Sequence, residues 1–155
     1  VVRIKQYSTK SIEAMVVWKR LIRFEAEDGK VYNGEPLLGE QTDDVGALAD
    51  DGKLQAFVIE GGDVFSDAAA VTPKKLAVKT LLGPLHVDQV PIIRCVGLNY
   101  MKHIQEGGRK PPPFPSIFIK PADCVADYGC SVKIPKIAQD EQCDYEGELV
   151  ISKTT

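Results

Sequence analysis

The stretch "CDYEGELVI", residues 143–151, places Asp144, Glu146 and Glu148 at alternate positions. Read as a strand, it turns these three carboxylates to one side and Tyr145, Gly147 and Leu149 to the other. Carboxylates two residues apart on a strand face lie about 7 Å from each other at the backbone, and they resist joint ionisation when buried. Two arrangements relieve that repulsion. A solvated outer face does so with no further function, and most charged residues are placed that way. A divalent cation does so by hard oxygen ligation, and magnesium suits the pattern because it takes few carboxylates and keeps several waters.

A second group lies in "NYMKHIQEGG", which reads as a short helix. His103 and Glu106 stand three residues apart on it. They therefore share a face, and the carboxylate can orient the imidazole and favour its protonated form, which is half of a general-base apparatus. The same spacing on a surface helix also serves as a plain polar face. Gly107 and Gly108 follow, then the stiff run "PPPFP", a combination that would let the helix swing as a lid over a site. Lys120 closes the apolar strand "SIFIK". Its amine either reaches solvent along its stem or meets an anionic substrate.

The elements that must position these groups are mostly strands. "VVWKRLIRFEAEDGKVYNGEP" carries β-branched and aromatic residues on both sides of Glu27-Asp28-Gly29-Lys30, which predicts strands near 17–26 and 30–35 joined by a tight turn at Asp-Gly. "LQAFVIEGG" predicts a strand near 54–60, and "TPKKLAVKTLLGPL" a helical turn or loop leading to a strand near 76–82. The acidic "GEQTDDVGALADDGK" reads as a solvated connection. Gly83, Pro84 and Pro91 punctuate the chain and mark a boundary between two domains. Beyond it, "IIRCVGLNY" reads as a buried strand ending at Gly97, and "CSVKIP" as a further short strand. The fold class expected is mainly β (α+β), with an unstructured leader over 1–14, a small N-terminal β domain over 15–88 and a second domain over 89–155. The mildly basic leader fits a transit-peptide remnant or an appended extension equally.

Composition excludes several classes. The chain has 155 residues, 44% hydrophobic and 26% charged, with a formal net charge of −3, so it is long enough for one sizeable domain or two small ones. The acidic balance and the lack of a dense Lys/Arg cluster argue against nucleic acid as a partner. No apolar run approaches the roughly 20 residues of a membrane span, so no membrane partner is expected and an intracellular setting is. Cys95, Cys124, Cys130 and Cys143 form no CxxC pair, and neither His86 nor His103 stands at zinc-finger spacing from them. They are expected to be buried small hydrophobes or inert thiols.

Taken in order, "CVGLNYMKHIQEGG", "PSIFIKP" and "DYEGELVI" resemble the fumarylacetoacetate hydrolase family, whose members share a His-x-x-Glu lid helix, a Phe-x-Lys-Pro strand and a Glu-x-Glu metal strand. The resemblance is specific over residues 92–151, and "WKRLIRFEAEDGKVYNGEP" resembles the small N-terminal β domain of many members. It implies that Glu146 and Glu148 are metal ligands, that His103 and Glu106 form an acid/base pair on the lid, and that Lys120 contacts substrate. The cation implied is magnesium, with manganese or calcium as alternatives. By the same resemblance, the fold continues into the first part of a mixed β-roll. The reaction implied is cleavage of a carbon–carbon bond in acylpyruvate-like 2,4-diketo acids by water that His103 and Glu106 activate. Two alternatives stay open: an oxaloacetate tautomerase or decarboxylase of the same family, and a truncated paralogue without catalysis. The family's third carboxylate ligand would fall beyond Thr155, so the chain is expected to be truncated and to leave an apolar sheet edge uncovered. A 2-keto acid substrate, a homodimer for the full-length protein, and a cytoplasmic or mitochondrial location complete the expectation.

Overall fold

The computed structural model describes residues 16–39 and 43–152, so the leader expected over 1–14 lies outside the described residues. Strand β1 (Ile22–Glu25) turns back through Gly29 into β2 (Val31–Pro36), and the ladder pairs Phe24 with Tyr32 and Ile22 with Gly34. Gly29 sits at φ 74°, a left-handed conformation that costs glycine little. Asp28 seals the turn: its carboxylate accepts from the Lys30 N–H at 3.0 Å and from the Tyr32 hydroxyl at 2.8 Å.

Helix α1 (Val45–Asp50) follows, then β3 (Gln55–Glu60), β4 (Ala70–Ala77) and β5 (Thr80–Leu82). The sheet order is β4-β3-β2-β1-β5, every pairing being antiparallel. Alternation on β1 and β3 sends Ile22, Phe24 and Ala56 into one core with Val45, Leu54, Val78 and Leu81, while Tyr32, Leu38, Leu48 and Ala49 pack around it. Burying one such phenylalanine contributes about 1.5–3 kcal/mol.

Two expectations for this region fail. The acidic stretch expected to be a solvated connection contains α1. Its start is capped by Asp44, whose side chain accepts from the Ala47 N–H at 3.1 Å, and Val45, Leu48 and Ala49 turn inward at helical spacing. "TPKK" is strand rather than helical turn or loop. Phe57 pairs with Lys75 and Ile59 with Val71, so β4 bulges over Thr72–Lys74. Pro73, which has no N–H, is tolerated at such a bulge on an edge strand.

Among the described residues, one compact unit takes in the chain up to Pro84 together with everything from Asp127 onward, and a second spans Leu85–Ala126. The second unit contains a two-stranded antiparallel ribbon of β6 (Ile93–Gly97) and β7 (Ser116–Lys120), with α2 (Met101–Glu106) between them in sequence. A 3-10 turn precedes the ribbon at Val87–Gln89 and another follows it at Ala122–Cys124. Both sheets being antiparallel and the helices short, the fold is mainly β.

"CSVKIP" and "CDYEGELVI" are not strands. A strand is stabilised by cross-strand hydrogen bonds, and among the described residues no strand pairs with either segment. Tyr145, Leu149 and Ile151 consequently lie open to solvent, Tyr145 at 91%. All four cysteines are free thiols, and Cys124, Cys130 and Cys143 are exposed rather than buried.

Candidate active site

Helix α2 begins abruptly. After β6 ends at Gly97, Leu98 takes φ 53°, a left-handed conformation costing a branched residue about 1–2 kcal/mol, and Tyr100 returns to an extended backbone as the residue before the helix. The C-terminus is closed by glycine. Gly107 N–H donates to the His103 carbonyl at 3.2 Å, Gly108 N–H to Gln105 at 2.9 Å and Arg109 N–H to Ile104 at 3.0 Å. Gly108 stands at φ 64°, the left-handed residue that commonly ends a helix.

Ile104 is the one buried residue of α2. It anchors the helix, while His103 and Glu106 are both exposed, one turn apart as their spacing predicts. A helix of six residues held by one apolar side chain has little of its own to stabilise it.

Lys120 is the last residue of β7 and pairs with Ile93 across the ribbon. Its ammonium stands 6.0 Å from the centre of the Phe118 ring, two residues earlier on the same strand. Every residue of β7 is exposed, Ile117 at 68% and Ile119 at 62%. His103, Glu106 and Lys120 thus belong to the second unit, whereas Glu146 and Glu148 belong to the first.

Glu146 and Glu148 are exposed and lie in a segment without regular secondary structure. The turn leading to them runs through Asp140 and Glu141, both at φ 63°. Among the described residues, no three His, Cys, Asp or Glu side chains gather into a group that could hold a metal. In donor chemistry the pair nevertheless fits a hard divalent cation, since two carboxylate ligands completed by waters is a usual magnesium arrangement.

One polar cluster escapes sequence reading. Arg23, Gly83 and Asp127 are mutually hydrogen-bonded, and Tyr128 donates to Asp50 at 2.9 Å. That bond, first among its causes, raises the Tyr128 phenol above its ordinary range. The one available signal was Arg23 itself, a lone cation inside the apolar run "LIRF".

Residues 92–153 match the family model for the fumarylacetoacetate (FAA) hydrolase C-terminal region. Caffeoylpyruvate hydrolase of Neonothopanus nambi is 40% identical over 140 residues, which take in 86% of this chain and 48% of that protein. Over these residues the chain is similar to the fumarylacetoacetate hydrolase family. Protein Rv2993c of Mycobacterium tuberculosis is 38% identical over 76 residues, 49% of this chain and 27% of that one. A protein of Archaeoglobus fulgidus is 39% identical over 59 residues, 38% and 23% of the two chains. The chain thus spans about half the length of the first of these relatives and about a quarter of the other two. No solved structure matches it. Among the described residues, no helix is long and apolar enough to cross a membrane.

Proposed function

We propose that this chain carries part of the active site of a hydrolase that splits a carbon–carbon bond in acylpyruvate-like 2,4-diketo acids. The observation that carries the proposal is the 40% identity, across most of the chain, to a protein named caffeoylpyruvate hydrolase. Placement of His103 and Glu106 one turn apart on the glycine-closed helix α2 supports it.

In this reading His103 removes a proton from water, and the water oxygen attacks the C4 carbonyl carbon of the diketo acid. Glu106 orients the imidazole and stabilises its protonated form. The C3–C4 bond then breaks, its electron pair stays on C3, and a proton delivered there completes pyruvate, while the acyl carbon leaves as a carboxylic acid. Lys120 attracts the substrate carboxylate with its ammonium. Glu146 and Glu148 would hold a divalent cation, magnesium by donor type, with manganese or calcium as alternatives. When bound, the cation supplies positive charge where negative charge develops on the keto acid's oxygens.

The test is pyruvate release from acetylpyruvate by the protein as its natural source makes it, in magnesium. Cleavage is expected, and His103→Ala should lower kcat by about 10²–10⁴-fold, the usual range for a general base. Rapid enol-to-keto conversion of oxaloacetate without a cleavage product would replace hydrolysis by tautomerisation. Absence of both activities would leave a non-catalytic paralogue.

A further inference from the structure

The second unit leaves the first after Pro84 and the chain returns at Asp127. Those two points are fastened together. The Gly83 N–H donates to Asp127 Oδ1 at 2.9 Å. Arg23 bridges the pair again, its Nε donating to the Gly83 carbonyl at 2.9 Å and its Nη2 to Asp127 Oδ1. Arg23 is 9% exposed, and a cation that deep requires a partner charge. Only a guanidinium presents two donors in a fixed fork, one for a carbonyl and one for a carboxylate. Tyr128 adds a second tie through Asp50, and its ring crosses α1 at Gly46, where an added Cβ would stand 2.8 Å from the hydroxyl oxygen.

Within the second unit the outgoing and returning stretches of chain meet again. The 3-10 turn Val87–Gln89 packs beside the turn Ala122–Cys124, and the next rung is Ile93 paired with Lys120. The ribbon's open end is therefore the end nearer the clamp along the chain, and a two-stranded ribbon is marginal by itself. Joining its ends in advance removes part of the entropy of closing it.

We propose that Arg23, with Gly83 and Asp127, is a neck clamp that sets the pairing of β6 with β7 and so the placement of Lys120. Arg23 and Asp127 are positioning residues, and the role stands apart from whichever reaction the protein performs.

Hydrogen exchange of the full chain tests this by comparing the parent with Arg23→Lys and Asp127→Asn. Exchange at the ribbon amides of residues 93–97 and 116–120 should accelerate about tenfold or more, while amides linking β2 to β3 keep their parent rates. Unchanged exchange in the ribbon would overturn the proposal. So would an equal acceleration in both regions, which would make Arg23 a stabiliser of the five-stranded sheet alone. Should Arg23→Lys fail to fold, the result for Asp127→Asn decides, because that carboxylate side chain is 37% exposed and its amide keeps an acceptor oxygen.

Discussion

At the scale of single residues the turn between β1 and β2 yields a prediction with a definite sign. The Tyr32 hydroxyl, then the Lys30 N–H, hold the Asp28 carboxyl below its usual range. A depressed folded-state value means that the stabilisation is present above the unfolded value, 3.8, and is lost as pH falls through the lower folded value. Asp28→Asn should lower the urea midpoint at pH 7 and converge with the parent at strongly acidic pH. A difference between the two proteins that stays constant with pH would remove the carboxylate from the account. Asp28-Gly29 was legible because every partner lies within four residues. Arg23 and Asp127 were not, since their bond spans 104 positions and local patterns carry no information about contacts of that reach. His103 and Glu106 were legible for the opposite reason: one helical turn sets their spacing.

At the scale of elements, β2 runs close against its neighbours only because position 34 has no side chain. A Cβ there would stand 2.8 Å from the Phe57 carbonyl oxygen and 2.9 Å from the Phe24 ring. The oxygen is backbone and Phe24 is fully buried, so neither can move aside cheaply. Gly34→Ala should cost about 1–3 kcal/mol or more, as overpacking does, read as a lower urea midpoint by fluorescence of Trp18, the chain's single tryptophan. Gly52→Ala is the control: its site is open space at φ 66°, so only the conformational cost of about 1–2 kcal/mol remains. Equal losses would mean that contact at Gly34 does not decide. Helix α1 was readable in principle from Val45, Leu48 and Ala49, but the aspartates around it drew the reading toward a loop. The carboxylate segment failed differently. Alternation in 143–151 describes which side chains would share a face if the segment paired, whereas pairing depends on a second strand, which no residue within the segment can supply.

At the scale of the whole molecule, burial is divided unevenly along the chain. Phe24, Leu21, Leu54 and Val58 are fully buried in the first unit, and Trp18 is 4% exposed there, donating its indole N–H to the Val64 carbonyl at 2.8 Å. In the second unit Ile104 alone is buried, and the ribbon exposes Val96, Ile117 and Ile119. Cooperative unfolding requires that elements share buried contacts, and local stability falls where apolar contacts are few. Urea titration followed by Trp18 fluorescence should therefore show a single cooperative transition from the five-stranded sheet. Exchange of the ribbon amides should be fast at urea concentrations well below that midpoint, showing that the unit carrying His103 and Lys120 opens first. Coincident loss of both signals would instead mean that the two units unfold together. Ribbon opening ahead of the sheet would also free the edge of β7 that pairs with β6, a template for pairing between chains. Light scattering in that low-urea range should then rise with protein concentration, and fall again once the sheet itself has unfolded.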